Sequence, residues 1–461
     1  MNVLNRKITN IFFIFSITHL IIWTLLPTFT NNNLPLDVIE ALAWGSNLDW
    51  GFNKHPPGSA FFPEIFFQIF GPQDWAFYLL SQIFVVTSFY YVFKTAYEIL
   101  GDIKLSLISV LLLESIYFFN FTTPEFNVNV CQLPFWALVV HYSWKIYDAR
   151  EIKFIDCCLI GLFGAIGFLS KYLFAYLLLS LVLFFIYLIF IKKNKKFDFK
   201  YLIVIEVFVV LLVPHIIWLF NNDFITITYG LKRTGLEDYN LLNHIKYPSM
   251  FLLKQAGILI PFIFLVRLLI KKVKFKINLK DKRLIFLLFI NILPIILITA
   301  TSVLMGSKIR TMWMTPFYLF FGVLFVYLLR SQINLKNIKL FLYGFLFLFL
   351  LSPSIYSYIS ISEKNKRTDY PGREIAELVE SRWYKNFSNE IKYVVGDEWH
   401  AGNLSYHIAS RPIWFSSIKD KADKLDKEGG VVYTGNADVL KQVCPGVYGK
   451  IKKQGFCMIG N

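Results

Sequence analysis

The sequence reads Lys192-Lys193-Asn194-Lys195-Lys196 between two long hydrophobic runs. A second basic stretch extends from Arg267 to Arg283, and smaller ones extend from Lys145 to Lys153 and from Arg330 to Lys339. Because the cytoplasmic loops of membrane proteins are enriched in Lys and Arg, we expect all four clusters to face the cytoplasm. The alternation that satisfies all four has about eleven membrane spans, a cytoplasmic N-terminus and an external C-terminus.

The predicted spans are hydrophobic runs of membrane-crossing length. We place them at about residues 8–29, 75–99, 104–120, 127–147, 154–171, 173–191, 200–220, 247–270, 284–304, 313–329 and 339–358. The polar breaks around Lys171 and Gly306 have two interpretations, a tight loop or a polar site at membrane depth. The first run follows Arg6-Lys7 like a signal peptide, but it lacks a small-x-small cleavage site and further spans follow, so we expect an uncleaved helix.

The composition is typical of a lipid-facing helical bundle. Hydrophobic residues make up 56% of the chain, which contains 48 Phe, 25 Tyr and 11 Trp. The formal net charge of +16 would suggest nucleic-acid binding in a soluble protein. Most of the excess positive charge lies in the predicted cytoplasmic segments, where topology and anionic lipid headgroups explain it. We therefore expect membrane lipid, and no nucleic acid, among the partners.

The composition changes after Ser357 from hydrophobic to charged and mixed. We divide the chain into a transmembrane module, residues 1–358, and an external α/β domain, residues 359–461. Within this domain, residues 373–379 have the pattern of an amphipathic helix, and residues 393–397 and 431–435 that of buried parallel strands ending in turns. The predicted fold class is thus a membrane all-α bundle with a small external α/β domain.

Two of the five cysteines, Cys444 and Cys457, lie in the predicted external domain. An oxidising compartment would allow a disulfide between them, and free thiols are the alternative. The other three, Cys131, Cys157 and Cys158, fall in predicted spans, where we expect them to pack as small apolar residues.

The first external loop, about residues 30–74, is too long for a simple turn. Asp37 and Glu40 are three residues apart, so on a helix their carboxylates lie on one face. Trp44 and the flanking leucines would let this helix lie along the membrane interface. Solvated residues on a surface helix are the plain alternative, but Lys54-His55-Pro56-Pro57 follows, in which two prolines stiffen the chain beside a cation and an imidazole.

The remaining unusual polar residues also fall on the external side. They are Glu125, Asn127 and Asn129 in the second loop, Lys171 and Tyr172 in the third, His215 and Lys232-Arg233 in the fourth, and Lys308 and Arg310 in the fifth. Polar residues that enter hydrocarbon are costly unless they face a polar cavity. An isolated cation at a helix end is also explained by snorkelling to the headgroups. A cleft that combines a base with an anion clamp accounts for all of them together.

In their order along the chain, four motifs resemble the bacterial branch of the dolichyl-phosphate-mannose-protein mannosyltransferase family. They are Asp37-x-x-Glu40 with Trp44-Gly45, Lys54-His55-Pro56-Pro57, Phe126-Asn127-x-Asn129 before Leu133-Pro134-Phe135-Trp136, and Ser170-Lys171-Tyr172. The branch includes lipopolysaccharide-core sugar transferases and is related to the lipid A aminoarabinose transferase. The resemblance covers about residues 30–320, and residues 371–412 are similar to the tail of this branch.

The resemblance implies a GT-C fold and a glycosyltransferase that takes a sugar from a polyprenyl-phosphate carrier. It also implies a bacterial inner membrane and an active site that faces the periplasm. The acidic residue that the family uses in its first outer loop maps onto Asp37. The chain has Val38 where the protein mannosyltransferases have a second acid, and its second-loop acid is Glu125 or is replaced by Asn127. The acceptor, whether glycan, lipid or protein, and the role of Glu125 therefore stay open.

Such a transfer needs a base on the incoming hydroxyl and cations on the departing phosphate. We assign Asp37 as the base and Glu40 as a supporting residue. We assign phosphate binding to Lys54, Lys171 and Arg310, hydrogen bonding to His55 and Tyr172, and sugar binding to the asparagines. A single displacement would invert the anomeric centre. We predict no cofactor, and no residue spacing indicates a divalent cation site.

Two other functions fit a polytopic membrane protein with external polar residues. One is a transporter or flippase of lipid-linked sugars. The sequence shows no inverted repeat of the kind found in many transporters, which argues against this function. The other is an oligosaccharide ligase or polymerase, against which the first-loop motif argues.

Overall fold

The computed structural model describes residues 3–193, 196–235, 240–270, 277–333, 338–416 and 429–461. Parts of three predicted basic clusters, namely residues 194–195, 271–276 and 334–337, lie outside the described residues.

The N-terminal three quarters of the chain form a helical bundle. Its helices are α1 Val3–Thr30, α2 Leu36–Gly45, α3 Gly58–Phe70, α4 Asp74–Leu100, α5 Ile103–Leu111, α6 Val128–Asp148, α7 Phe154–Ser170, α8 Ala175–Ile186, α9 Lys200–Asn221, α10 Ile225–Arg233, α11 Asn243–Ile258, α12 Ile260–Leu269, α13 Lys282–Met305, α14 Phe321–Leu329 and α15 Ile338–Ser362. Short 3₁₀ segments include Leu112–Ser115, Tyr172–Phe174 and Thr311–Tyr318, and a π-helical segment, Tyr187–Ile191, extends α8.

Six helical segments of the described chain are long and apolar enough to cross a membrane: α1, α4, Tyr172–Ile191, α9, α13 and α15. The number rises to eight if each of two bent pairs, α11 with α12 and Thr311–Tyr318 with α14, forms one span. The predicted spans at 104–120, 127–147 and 154–171 are helical as well, as α5 with its 3₁₀ extension, α6 and α7, but they do not meet this test. The chain is a multi-pass membrane protein in which every predicted span has a helical segment.

Helix α6 shows why hydropathy alone understates the spans. It packs against α4 and α7 in the middle of the bundle, and its polar side chains Gln132 and His141 are fully buried. A helix that is enclosed by other helices can carry polar residues that a lipid-facing helix cannot.

The first external loop contains two helices, α2 and α3. Helix α2 is enclosed by protein, with Trp44 only 2% exposed, and it packs on α3 and on the C-terminal α/β domain. Its apolar side chains therefore contact protein, and the expectation that α2 lies along the membrane interface stays a prediction. The α2–α3 contact is close because Gly45 has no side chain: a Cβ there would lie 2.9 Å from Cβ of Glu64.

The C-terminal residues form an α/β domain around a five-stranded sheet. Its elements are α16 Gly372–Asn386, β1 Ile391–Val395, α17 His400–His407, β2 Ile413–Phe415, β3 Gly430–Asn436, α18 Ala437–Val443, β4 Val447–Ile451 and β5 Gln454–Ile459. The strand order is β2-β1-β3-β5-β4, in which β1 is parallel to β2 and β3 while β5 is antiparallel to its two neighbours. The predicted helix and both predicted strands are present in α16, β1 and β3. A disulfide joins Cys444, just after α18, to Cys457 of β5.

We call the α/β domain the external domain, although its side of the membrane remains a prediction. It is attached to the first loop by buried polar contacts. Arg411 lies over the ring of Phe67, its Nη2 is 2.6 Å from Oε2 of Glu64, and the same nitrogen donates to the carbonyl oxygen of Leu42 in α2. The hydroxyl of Tyr406 donates to Asp74 at the start of α4. The domain is thus part of the wall that surrounds α2.

Candidate active site

A cavity of about 590 Å³ lies beneath α2, between the bundle and the first loop. It is bounded by the start of α6, the chain break after α7, helix α10, the end of α13 and the segment that follows it. The predicted site residues that line it are Asp37, Glu40, Lys54, His55, Asn129, Lys171, Tyr172 and Arg310.

The two acids of the cavity stand one turn apart on α2. Asp37 lies in the first turn, where the positive end of the helix dipole favours a carboxylate. Burial raises the pKa of Asp37, and the charges of Arg233 and Lys171 act against this rise. Burial also raises the pKa of Glu40, against the hydrogen bond that it accepts from Lys54.

Asp37 has a second carboxyl group beside it. Its backbone N–H donates to Oε1 of Glu125 over 3.1 Å, and burial together with the Asp37 charge raises the pKa of Glu125 to about 8. Two neighbouring carboxyl groups do not ionise together easily. Asp37 has more cations around it than Glu125 does, and these oppose the rise in its pKa. Of the two carboxyl groups, Glu125 is therefore the one that keeps its proton at neutral pH.

Lys54 is held between two carboxylates. Its Nζ lies 2.9 Å from Oε1 of Glu40 and 3.3 Å from Oε1 of Glu398, which belongs to the external domain. Burial acts to lower the pKa of Lys54, but the two carboxylates outweigh burial and raise it. Lys54 is therefore a charged residue at the cavity wall whose ammonium group already forms ion pairs with Glu40 and Glu398.

Three other cations are better placed to bind an anion. Lys171 occupies the break between α7 and Tyr172, is only 3% exposed, donates to Oδ1 of Asn129 and lies over the ring of Trp313. Arg310 and Arg233 also face the cavity. Among the described residues, no carboxylate lies within ion-pair distance of Lys171, Arg233 or Arg310. We call these three residues the cation cluster.

Arg233 was recognisable in the sequence only as a loop cation and was not assigned to the site. It ends α10, and its Nη1 donates to the hydroxyl of Tyr229 one turn earlier. The position of α10 over the cavity depends on a distant contact, in which Thr226 donates to the carbonyl oxygen of Phe52 in the first loop. Arg367, in the link between α15 and the external domain, also lines the cavity and was not predicted.

His55 and Tyr172 are placed for hydrogen bonding. Burial lowers the pKa of His55 to about 3, with the nearby cations acting in the same direction, so its imidazole is neutral at physiological pH. The hydroxyl of Tyr172 is 2.7 Å from Nε2 of His215. His215 itself does not line the cavity; its Nδ1 is 2.6 Å from the carbonyl oxygen of Trp50, so it supports Tyr172 and the first loop.

Three further predicted residues lie outside this cavity. Lys308 is exposed, and its backbone N–H donates to Thr234. Glu125 and Asn127 line a second cavity of about 280 Å³, which shares Asn129 and Met312 with the first. The side chain of Asn127 caps α6 by accepting hydrogen bonds from the backbone N–H groups of Asn129 and Val130.

No group of three or more His, Cys, Asp or Glu side chains that could hold a metal ion occurs in the described part of the chain. The expectation that the protein has no resident cofactor remains a prediction.

Comparisons with known proteins concern the fold and part of the sequence. Residues 54–218 match the model of the family described as dolichyl-phosphate-mannose-protein mannosyltransferase. The whole chain is similar to the crystal structure of ArnT from Cupriavidus metallidurans bound to undecaprenyl phosphate, with a TM-score of 0.66, 11% identity and 98% of each chain covered. The oligosaccharyltransferase of Archaeoglobus fulgidus in its apo form is more distant, with a TM-score of 0.44, 11% identity, and 92% of this chain and 70% of that chain covered. A search of curated proteins gave no match.

The family match falls on the segment that carries Lys54, His55, Asn129, Lys171 and Tyr172, and the structural likeness extends over nearly the full chain. The predicted resemblance is confirmed. The protein has the GT-C fold and resembles ArnT, and its residues 54–218 match the sequence pattern of the dolichyl-phosphate-mannose-protein mannosyltransferases.

Proposed function

We propose that the protein is a membrane glycosyltransferase that moves a hexosyl or pentosyl group from a polyprenyl-phosphate carrier to a hydroxyl of a cell-envelope glycan, lipid or protein. The reaction takes place at the periplasmic face of a bacterial inner membrane. One observation carries the proposal: the carboxylate of Asp37 and the cation cluster Lys171, Arg233 and Arg310 line the same cavity.

The lining of this cavity suits an amphiphilic phosphate ester. Its polar part holds Asp37 and the cation cluster, and its other part is lined by apolar residues that include Leu173, Ile298 and Met305. Met305 is 46% exposed at the end of α13, one of the helices apolar enough to cross a membrane, so the apolar part of the cavity begins at a membrane-spanning helix. A phosphate bound by the cations could therefore keep its prenyl chain in the membrane. The undecaprenyl phosphate bound to ArnT supports this class of donor.

The proposed reaction is a single displacement at the anomeric carbon. Asp37 takes the proton of the acceptor hydroxyl as the oxygen attacks, and the bond between the anomeric carbon and the phosphate oxygen breaks. The electron pair leaves with the polyprenyl phosphate. The cation cluster stabilises the negative charge that develops there, because donors that the fold already aims at the cavity need not reorient during the reaction. One displacement of this kind inverts the anomeric configuration.

The supporting residues follow from the same geometry. Lys54 stays paired with Glu40 and Glu398 and holds the first loop against the external domain. His55 and Tyr172 supply neutral hydrogen-bonding groups at the cavity wall, which suit a phosphate oxygen or a sugar hydroxyl.

The proposal is tested by supplying undecaprenyl phosphate linked to a radiolabelled sugar to membranes that contain the protein and to membranes that lack it. We expect the protein to move label into envelope glycan, lipid or protein and to release undecaprenyl phosphate. Mass spectrometry of the products then identifies the acceptor. Movement of the intact lipid between leaflets without cleavage of the sugar–phosphate bond would instead identify a flippase.

A further inference from the structure

The second cavity, of about 280 Å³, is lined by Glu125, which accepts a hydrogen bond from the backbone N–H of Asp37. Its walls come from the second outer loop, the start of α6, α15 and the link to the external domain. Its lining includes Phe121, Glu125, Asn127, Tyr356 and Thr368. Because Asn129 and Met312 belong to both cavities, a ligand in one lies next to a ligand in the other.

The chemistry of the second cavity differs from that of the first. None of its described lining residues is Lys or Arg, and its acid, Glu125, is the member of the carboxyl pair that keeps its proton at neutral pH. Its remaining polar groups are hydroxyls and amides. Such a lining offers no partner to an anion and no carboxylate to a cation, so it favours a neutral polar ligand.

Several of these polar groups keep hydrogen-bonding capacity towards the cavity. Asn127 uses its oxygen to cap α6, which leaves its amide N–H groups. Tyr356 accepts a hydrogen bond from Asn31, which leaves its own hydroxyl proton. Glu125 uses one oxygen for the Asp37 N–H, which leaves the other. The rings of Phe121 and Tyr356 stand edge to face, 5.5 Å apart, and add apolar surface beside these groups.

We propose that the second cavity is a subsite for one neutral, hydroxyl-bearing sugar ring, with Glu125, Asn127 and Tyr356 as its hydrogen-bonding residues. The inference rests on the proposed transferase function. The volume is just under the roughly 300–1,000 Å³ of pockets for drug-sized ligands, which suits one ring and not an oligosaccharide. Because Glu125 is bonded to the backbone of Asp37, a ring held there adjoins the base. The ring belongs either to the donor or to the acceptor.

Two variants test the subsite with matched controls. Thr368→Phe fills the cavity from the link, and Thr368→Ser keeps both the hydroxyl and the space. Tyr356→Phe removes one hydroxyl, and its control is Tyr358→Phe on the same helix, where the side chain is 73% exposed. Asn31 keeps a second phenol partner, Tyr78, in the Tyr356→Phe variant.

Two assays separate the sources of the ring. Donor hydrolysis by water, measured against the concentration of an undecaprenyl-phosphate sugar, reports the donor ring alone. Transfer at saturating donor, measured against the concentration of extracted envelope glycolipid, reports the acceptor ring. A neutral hydrogen bond corresponds to roughly 2- to 12-fold in binding, so we expect Tyr356→Phe to raise one of the two KM values about threefold or more. Thr368→Phe should raise the same KM further than Thr368→Ser does, and Tyr358→Phe should match the wild type.

The assay in which KM rises identifies the ring. Unchanged KM values for both substrates in Thr368→Phe would overturn the subsite, whatever happens to kcat. If Thr368→Phe does not fold, unchanged KM values in Tyr356→Phe overturn it equally. If the wild-type protein releases no undecaprenyl phosphate, the transferase function itself is refuted. If the wild type is active and the variants have unchanged KM values, only the subsite is refuted.

Discussion

The backbone N–H of Asp37 donates a hydrogen bond to the side chain of Glu125, which comes from a different outer loop 88 residues away. This contact places two carboxyl groups side by side in different electrostatic surroundings. Burial raises the pKa of Asp37 and several cations oppose that rise, whereas burial and the Asp37 charge raise the pKa of Glu125 to about 8. Pairs of acids whose environments separate their pKa values are typical of catalytic sites.

The first prediction concerns pH. Transfer should fall as pH rises through about 8, because Glu125 then loses its proton and places a second charge beside Asp37. Stability should fall as well between about pH 4.5 and 8, since the folded protein holds this proton to higher pH than the unfolded chain does. The measurement is kcat/KM against pH for the wild type and for Glu125→Gln, which should lack the falling limb near pH 8. An identical limb in both proteins would assign it to another group.

The second prediction concerns the cation cluster. Arg233→Ala should weaken donor binding roughly 10- to 150-fold, the equivalent of about 1.5–3 kcal/mol for a charge-assisted hydrogen bond. Arg233→Lys should restore binding only in part because the planar guanidinium fork is lost. Donor KM values for these variants and for Lys246→Ala, an exposed residue of α11 used as control, provide the test. Equal donor KM values in Arg233→Ala and the control would mean that Arg233 does not contact the phosphate.

Some of this site could be predicted from the sequence and some could not. The spacing of Asp37 and Glu40 predicts a shared helix face because this signal is local. The polar break at Lys171 is a local signal too, but it leaves a tight loop and a polar site at membrane depth both open. Arg233 could not be assigned since its direction depends on how α10 packs against the first loop. Local patterns also do not predict long-range contacts. Lys54 and Glu398, for example, are 344 residues apart and come into contact only when the external domain packs against the first loop.

The third prediction concerns this docking. Arg411→Ala should destabilise the protein by about 3–5 kcal/mol, because it leaves Glu64 buried without its partner and removes the donor to Leu42 in the helix that carries Asp37. Thermal unfolding in detergent measures the effect. The control is Lys452→Ala, which breaks the exposed pair with Glu374 and should cost about 0–1 kcal/mol. Equal melting temperatures for the two variants would show that the Arg411 contacts do not hold the external domain.

The fourth prediction concerns the cysteines of the external domain. Thiol labelling of denatured, unreduced protein should modify Cys131, Cys157 and Cys158 and leave Cys444 and Cys457 unmodified. The three free cysteines serve as an internal control for complete labelling. Replacing both bonded cysteines by serine should cost about 3 kcal/mol, the usual size for a loop of this length. Labelling of all five would show that the disulfide is absent.

The central claim is that Asp37 takes the proton of the acceptor hydroxyl. Asp37→Asn keeps the size of the side chain and removes the base, so the loss of general-base catalysis should slow transfer by about 10²–10⁴-fold. Glu40→Gln should be milder, because Glu40 is occupied by its ion pair with Lys54.

The most direct measurement is transfer from a radiolabelled undecaprenyl-phosphate sugar in membranes that contain matched amounts of wild type, Asp37→Asn and Glu40→Gln. We predict that transfer collapses in Asp37→Asn while membrane insertion and donor binding persist, and that Glu40→Gln keeps most of its activity. Near-normal turnover by Asp37→Asn would contradict the account and move the base to another residue.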